Sequence, residues 1–120
     1  MFKTLDREKL ETELAKSLDP AWLENLSILL FDQIPSTNQI VWDSLEQGEN
    51  NLLVAIASEQ TAGRGQWGRS WQSEQGGLYL SLGLPMEMVV EQGPHITLWS
   101  AWGIAESLRQ QGIAVSLKWP

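Results

Sequence analysis

Arg64 and Arg69 are the only lysine or arginine side chains between Ser17 and Leu108, and both lie in one glycine-rich segment, Gln60 to Trp71 (QTAGRGQWGRSW). The chain carries a net charge of −7, so two isolated cations are not a solubilising surface. A guanidinium donates in pairs from a planar fork, which suits phosphate and carboxylate. Gly63, Gly65 and Gly68 add backbone that lacks a Cβ, so bare N–H groups can approach a ligand closely. The segment predicts a site for a small anion, built on a loop and served by backbone N–H groups and by fixed positive charge.

The glycine spacing matches G-x-G-x-x-G but not its context. A dinucleotide site needs a helix opening at the third glycine, and the next periodic segment here is a strand at Leu78. No Gly-Lys-Ser/Thr follows, so the segment is not a P-loop either. The plain alternative is a flexible hairpin with two surface arginines. Two further segments stand out. In Pro35 to Asn38 (PSTN), Ser36 and Gln39 have capping-box spacing, which explains Ser36 without a ligand. A helix N-terminus can nonetheless present donors to a polar ligand. Lys118, in Lys118 to Pro120 (KWP), reads in isolation as a surface lysine at a strand end. His95 reads as a turn or first-turn residue, and the acid pairs Glu46/Glu49 and Glu87/Glu91 as solvated surface.

The elements that must position these residues follow from periodicity. Leu5, Leu10, Leu14 and Leu18 define an amphipathic helix over residues 5–17, with Pro20 near its end. Ser27 to Phe31 is a buried-strand run. A helix begins at Ser36 and stops at Gly48. Asn51 to Ala57 is a second strand, with the glycine loop directly after it. Leu78 to Leu84 alternates as a third strand, ended by Pro85. Ile96 to Gln111 is a helix stopped by Gly112, and Ala114 to Lys118 starts a further strand. The fold class is α/β (α+β): a mixed sheet flanked by helices. Residues 1–26 form a helical extension and residues 27–120 a single partial domain.

Composition bounds the function. With 120 residues there is room for one domain, and no apolar run approaches a membrane span. The acidic balance lacks the basic stripe that nucleic acid or an anionic membrane would need. Absence of cysteine removes disulfides and thiolate chemistry and suits a cytoplasmic setting. The single histidine removes multi-histidine metal sites. The charged N-terminus has no apolar signal-peptide core.

Taken in order, PSTN, Q-x-AGRG-x-x-GR-x-W, GGLYLSL and KWP resemble the catalytic domain of biotin protein ligases, from about Phe31 to Pro120. The first 25 residues do not read as a winged-helix DNA-binding domain. The resemblance implies a class II aminoacyl-tRNA synthetase-like core that forms biotinyl-5′-AMP from biotin and ATP. Biotin is then transferred to a lysine on the biotin carboxyl carrier domain of a carboxylase. It implies that Ser36, Thr37, Asn38, Gln60, Gly63, Arg64, Gly65, Gln66 and Lys118 contact biotin or biotinyl-AMP. Arg64, Arg69 and Trp71 would serve phosphate and nucleotide, and Lys118 with Arg64 the reacting centre. ATP is accompanied by Mg2+, whose ligands are expected after Pro120.

Two departures qualify the resemblance. Gln66 stands where the family often has an arginine, which removes a cation from the loop. The family's Asn-Asp after KWP and its later segments are not in this sequence, so the chain reads as C-terminally incomplete and inactive by itself. Two other readings stay open at this point: a lipoate or octanoyl transferase of the same superfamily, and a non-catalytic anion-binding remnant.

Overall fold

A computed structural model describes residues 6–118. The chain forms two compact units, one reaching to Pro85 and the other running from Met86.

The first unit opens with helix α1 (Arg7–Ser17), capped by Asp6, whose side chain accepts from the Lys9 amide. Leu10, Leu14 and Leu18 are half-buried, as the amphipathic pattern requires, while Leu5 lies outside the described residues. Pro20 does not close this helix but opens a second, α2 (Pro20–Glu24), where its missing N–H costs nothing at the first turn. Strand β1 (Leu26–Ile34) extends the SILLF run at both ends.

Helix α3 (Thr37–Glu46) follows, with Ser36 at its N-cap. Half of the capping box forms. Ser36 Oγ accepts from the Gln39 amide at 3.3 Å, but the Gln39 side chain reaches forward to Asp43 Oδ1 at 2.8 Å. Gly48, at φ 93°, ends the helix as expected.

Strand β2 (Leu52–Arg64) is the axis of the sheet. It pairs in parallel with β1, so β1–α3–β2 is a βαβ unit. Strands β3 (Ser70–Ser73) and β4 (Tyr79–Gly83) both pair with β2 antiparallel. The sheet is therefore mixed, with helices flanking it. Residues 58–64, expected as loop, continue β2, because β1 supplies partners up to Gln60 and β3 pairs with Gly63 and Arg64. The polar sequence of this stretch hides a strand that few apolar contacts mark.

One face of the sheet carries the core. Val41 of α3 packs on Leu53 and Ala55 of β2, joined by Leu29, Ile40 and Leu45. Gly83 makes this close approach possible: a Cβ there would lie 2.9 Å from Val41 Cγ1 and 3.4 Å from Leu53 Cβ.

In the second unit a single turn at Val90–Gln92 leads into helix α4 (Gly93–Gln110), with Pro94 in its first turn and His95 stacked on Trp99. Gly112, at φ 82°, closes α4 in a Schellman arrangement: the Ile113 amide bonds Leu108 O, and the Gly112 amide bonds Arg109 O. The expected strand at Ala114 to Lys118 does not form, since no described strand offers it a ladder. Instead Val115 O accepts two bonds from the Arg109 guanidinium. No helix among the described residues is long and apolar enough to cross a membrane.

Gly83→Ala tests the α3–sheet contact. Val41 is buried and β-branched, so it cannot swing aside. Overpacking of this kind costs about 1–3 kcal/mol, to be read as a lower urea midpoint at unchanged slope.

Candidate functional site

The site is assembled where β1 hands over to α3 and where β2 runs into the glycine-rich hairpin. Pro35 O accepts from the Ala62 amide at 2.8 Å, which ties the turn before α3 to the far end of β2. This brings Thr37 against Gln60. The Thr37 amide donates to Gln60 Oε1 at 2.8 Å, and the Thr37 hydroxyl bonds the same oxygen at 3.1 Å. Gln60 Nε2 donates to Ser73 Oγ at 2.9 Å, and Ser73 Oγ donates to Trp71 O at 3.3 Å. Ser81 Oγ lies 2.8 Å from Thr37 Oγ1. Ser36, Thr37 and Ser73 are all buried.

Hydrogen-bond chemistry fixes the direction of this network. An amide N–H only donates, so the Gln60 atom facing Thr37 must be the carbonyl oxygen. That oxygen only accepts, so the Thr37 hydroxyl spends its one proton on it. Ser81 must then donate to Thr37, which leaves the lone pairs of Ser81 Oγ unspent. Gln60 Nε2 keeps a second N–H. Ser36 Oγ accepts at the helix cap, which leaves its O–H proton unspent. The unspent groups are two donors and one acceptor.

Ser36, Thr37, Gln60 and Ser81 line a cavity of about 330 Å3, together with Asn38, Arg64, Trp71 and residues 78–80 of the β4 region. A second cleft, of about 960 Å3, is lined by Gly65, Gln66, Trp67, Arg69 and Ser70. Both volumes lie in the range of small-molecule sites. Asn38, Arg64 and Trp71 line both, so the polar cavity and the arginine cleft share a boundary.

The hairpin differs from expectation in how it would meet an anion. The Gly65 amide donates to Arg69 O at 2.7 Å, and the Arg69 amide to Gln66 O at 3.2 Å. Those N–H groups close the loop on itself and are not presented outward. The guanidiniums are. Among the described residues neither Arg64 nor Arg69 forms an ion pair; the three pairs found are Arg7–Glu11, Lys16–Glu13 and Arg109–Glu106. The loop tip is a pair of left-handed residues, Trp67 at φ 61° and Gly68 at φ 72°. Trp67 is 91% exposed.

The structure thus gathers Ser36, Thr37, Asn38, Gln60, Arg64 and Trp71 around one cavity, and Gly65, Gln66 and Arg69 around the adjoining cleft. Gly63 is buried at the base of the hairpin, where its neighbours are protein side chains and backbone. Lys118 is exposed in the irregular end of the second unit. Sequence reading missed Ser73 and Ser81. Ser81 had a signal: in LYLSL it occupies the opposite phase from Leu80 and Leu82, so a lone hydroxyl sits on the face that packs on α3. Ser73 had none, because β3 itself was unseen. Among the described residues no group of three or more acidic or imidazole side chains could hold a metal ion.

The model of the Biotin/lipoate A/B protein ligase family matches residues 30–120. The chain belongs to this family. It is similar to the bifunctional ligase/repressor BirA of Escherichia coli, with 41% identity over 104 residues, 82% of this chain and 31% of that protein. To BirA of Bacillus subtilis it is 28% identical over 95 residues, 78% of this chain and 29% of the relative. The chain therefore spans less than a third of these relatives' length. Among solved structures, biotin protein ligase from Leishmania major in complex with biotin aligns over 64% of this chain and 29% of that one, at 30% identity and a TM-score of 0.49.

Gln60→Leu tests the network. It leaves the Thr37 amide without a partner in a buried setting, a loss of about 1–3 kcal/mol in unfolding free energy measured by urea titration.

Proposed function

We propose that this chain is the part of a biotin protein ligase that holds biotin and its carboxylate. The observation that carries the reading is the joining of a polar cavity to an arginine cleft through Asn38, Arg64 and Trp71. A cyclic urea offers one carbonyl acceptor and two N–H donors. The unspent Ser36 O–H and Gln60 N–H suit the carbonyl, and the Ser81 lone pairs suit an N–H. The valerate chain would then lead past Asn38 and Trp71 to Arg64, which suits a carboxylate.

The reaction this supports begins with the biotin carboxylate oxygen attacking the α-phosphorus of ATP. The bond to the bridging oxygen breaks, pyrophosphate leaves with that electron pair, and biotinyl-5′-AMP forms. An acceptor lysine amine then attacks the acyl carbon, AMP leaves, the amine loses a proton and an amide remains. The first step brings two anions together. Arg64 and Arg69 offset that repulsion, most effectively where water is excluded. In this reading Gly63, Gly65 and Gln66 shape the loop, Trp71 packs against the nucleotide, and Lys118 serves the acyl phosphate. Mg2+ would accompany ATP as its counter-ion; the described residues give it no acidic cluster. The acceptor is a biotin carboxyl carrier domain of a carboxylase, and the setting is cytoplasmic.

The test is Arg64→Ala in the full-length protein, read by biotin-dependent ATP–pyrophosphate exchange. A hydrogen bond to a charged group contributes about 1.5–3 kcal/mol, so exchange should fall roughly 10- to 150-fold. Unchanged exchange would remove Arg64 from the site. Titration with biotin and with lipoate separates the two substrate classes of the family.

A further inference from the structure

We infer that Ser73 is a positioning residue of this site: its hydroxyl clasps the Gln60 carboxamide and so sets which atoms the cavity offers a ligand. The inference rests on the biotin-site reading and goes one step past it. It begins with an irregularity in the sheet. The β2–β3 ladder pairs Gln60 with Ser73 and Gly63 with Trp71, and its register shifts between them. At the edge of that shift, side chains add a connection to the ladder. Gln60 Nε2 donates to Ser73 Oγ, which passes its own proton to Trp71 O.

Gly63 belongs to the same device. A Cβ at this position would lie 2.6 Å from Ser73 Oγ, 2.6 Å from Trp71 O and 3.1 Å from Gln60 Nε2. The space that a side chain would fill is the space the clasp occupies. The first glycine of the segment is thereby required by hydrogen bonds within the chain rather than by a phosphate.

The chemistry follows from donor counting. A carboxamide held only by Thr37 is fixed at its oxygen and free to pivot about it. Ser73 fixes the nitrogen as well, which aims the remaining Nε2 proton. Ser73 also bridges the cavity to the base of the hairpin that carries Arg64, through its bond to the carbonyl of Trp71, the residue paired with Gly63. Loss of this hydroxyl therefore loosens ligand recognition without touching any reacting atom.

The experiment compares Ser73→Ala and Ser73→Thr in the full-length protein. In biotin-dependent ATP–pyrophosphate exchange, Ser73→Ala should raise the KM for biotin about tenfold and change kcat less than threefold. Ser73→Thr, which keeps the hydroxyl, should return KM to within about threefold of the parent. A KM unchanged in Ser73→Ala, or no recovery in Ser73→Thr, overturns the positioning role. A double-mutant cycle of Gln60→Ala and Ser73→Ala in urea reads the clasp without any ligand. Coupling of at least about twofold in the unfolding equilibrium supports it, and strict additivity overturns it. If the parent protein itself shows neither biotin binding nor exchange, the substrate reading fails, while the cycle still decides the clasp.

Discussion

The site depends on one hydrogen bond, from the Thr37 amide to Gln60 Oε1. That amide opens helix α3 and would otherwise be an unpaired donor in a buried turn. Gln60 supplies its partner from the far end of β2, so the start of the helix and the end of the central strand are held in one geometry. Because an amide N–H cannot accept, the same bond decides which way the Gln60 carboxamide faces. Thr37, Ser81 and Ser73 then take the only proton arrangement left to them. A single backbone donor thus sets the polarity of a cavity whose other members come from three different strands and a helix.

Charge works under a different constraint. Arg64 and Arg69 are exposed. At 4 Å a unit pair in water is worth about 1 kcal/mol, against about 4 kcal/mol at the effective dielectric of a protein surface. Salt screens the exposed pair further. Two open guanidiniums on an acidic chain will therefore steer an anion but hold it weakly. Their full value requires that a ligand or further protein cover the cleft. The hairpin suits such a change. Its Gly65 and Arg69 amides bond within the loop, its tip is left-handed at Trp67 and Gly68, and Trp67 is almost wholly in solvent.

Much of this is legible in the sequence. Ser36 as a cap, Gly48 and Gly112 as helix stops, and the mixed sheet all follow from local chemistry that tertiary packing did not override. The scarcity of cations pointed to Arg64 and Arg69, and the ordered segments pointed to Thr37, Asn38 and Gln60. What stayed hidden was hidden for physical reasons. The second half of β2 and all of β3 are polar and glycine-containing, so their strand character comes from ladder partners and not from burial. Ser73 could not be found without β3. Pro20 follows the end of α1 closely in sequence yet opens α2, because proline is tolerated in a helix's first turn and not in its interior. The expected strand at Ala114 lacked a neighbour to pair with, which no local pattern reveals.

The same donor counting bears on the choice between the family's two substrate classes. A dithiolane ring has no N–H and no carbonyl. Seated in the cavity, it would displace water from the Ser36 hydroxyl, the Gln60 N–H and the Ser81 oxygen without replacing any hydrogen bond. Each buried polar group left unpaired costs about 1–3 kcal/mol. Even two such groups at the low end amount to roughly 30-fold in affinity, and a site built to bond a polar ligand commonly rejects its apolar analogue by more than that. Small apolar pockets discriminate poorly by size alone, so a lipoate site would gain nothing from spending three hydroxyls and a carboxamide at its inner end. The polar wiring is the economical arrangement for a urea and a wasteful one for a disulfide ring, and it is on this physical ground that the biotin reading is proposed over the lipoate one.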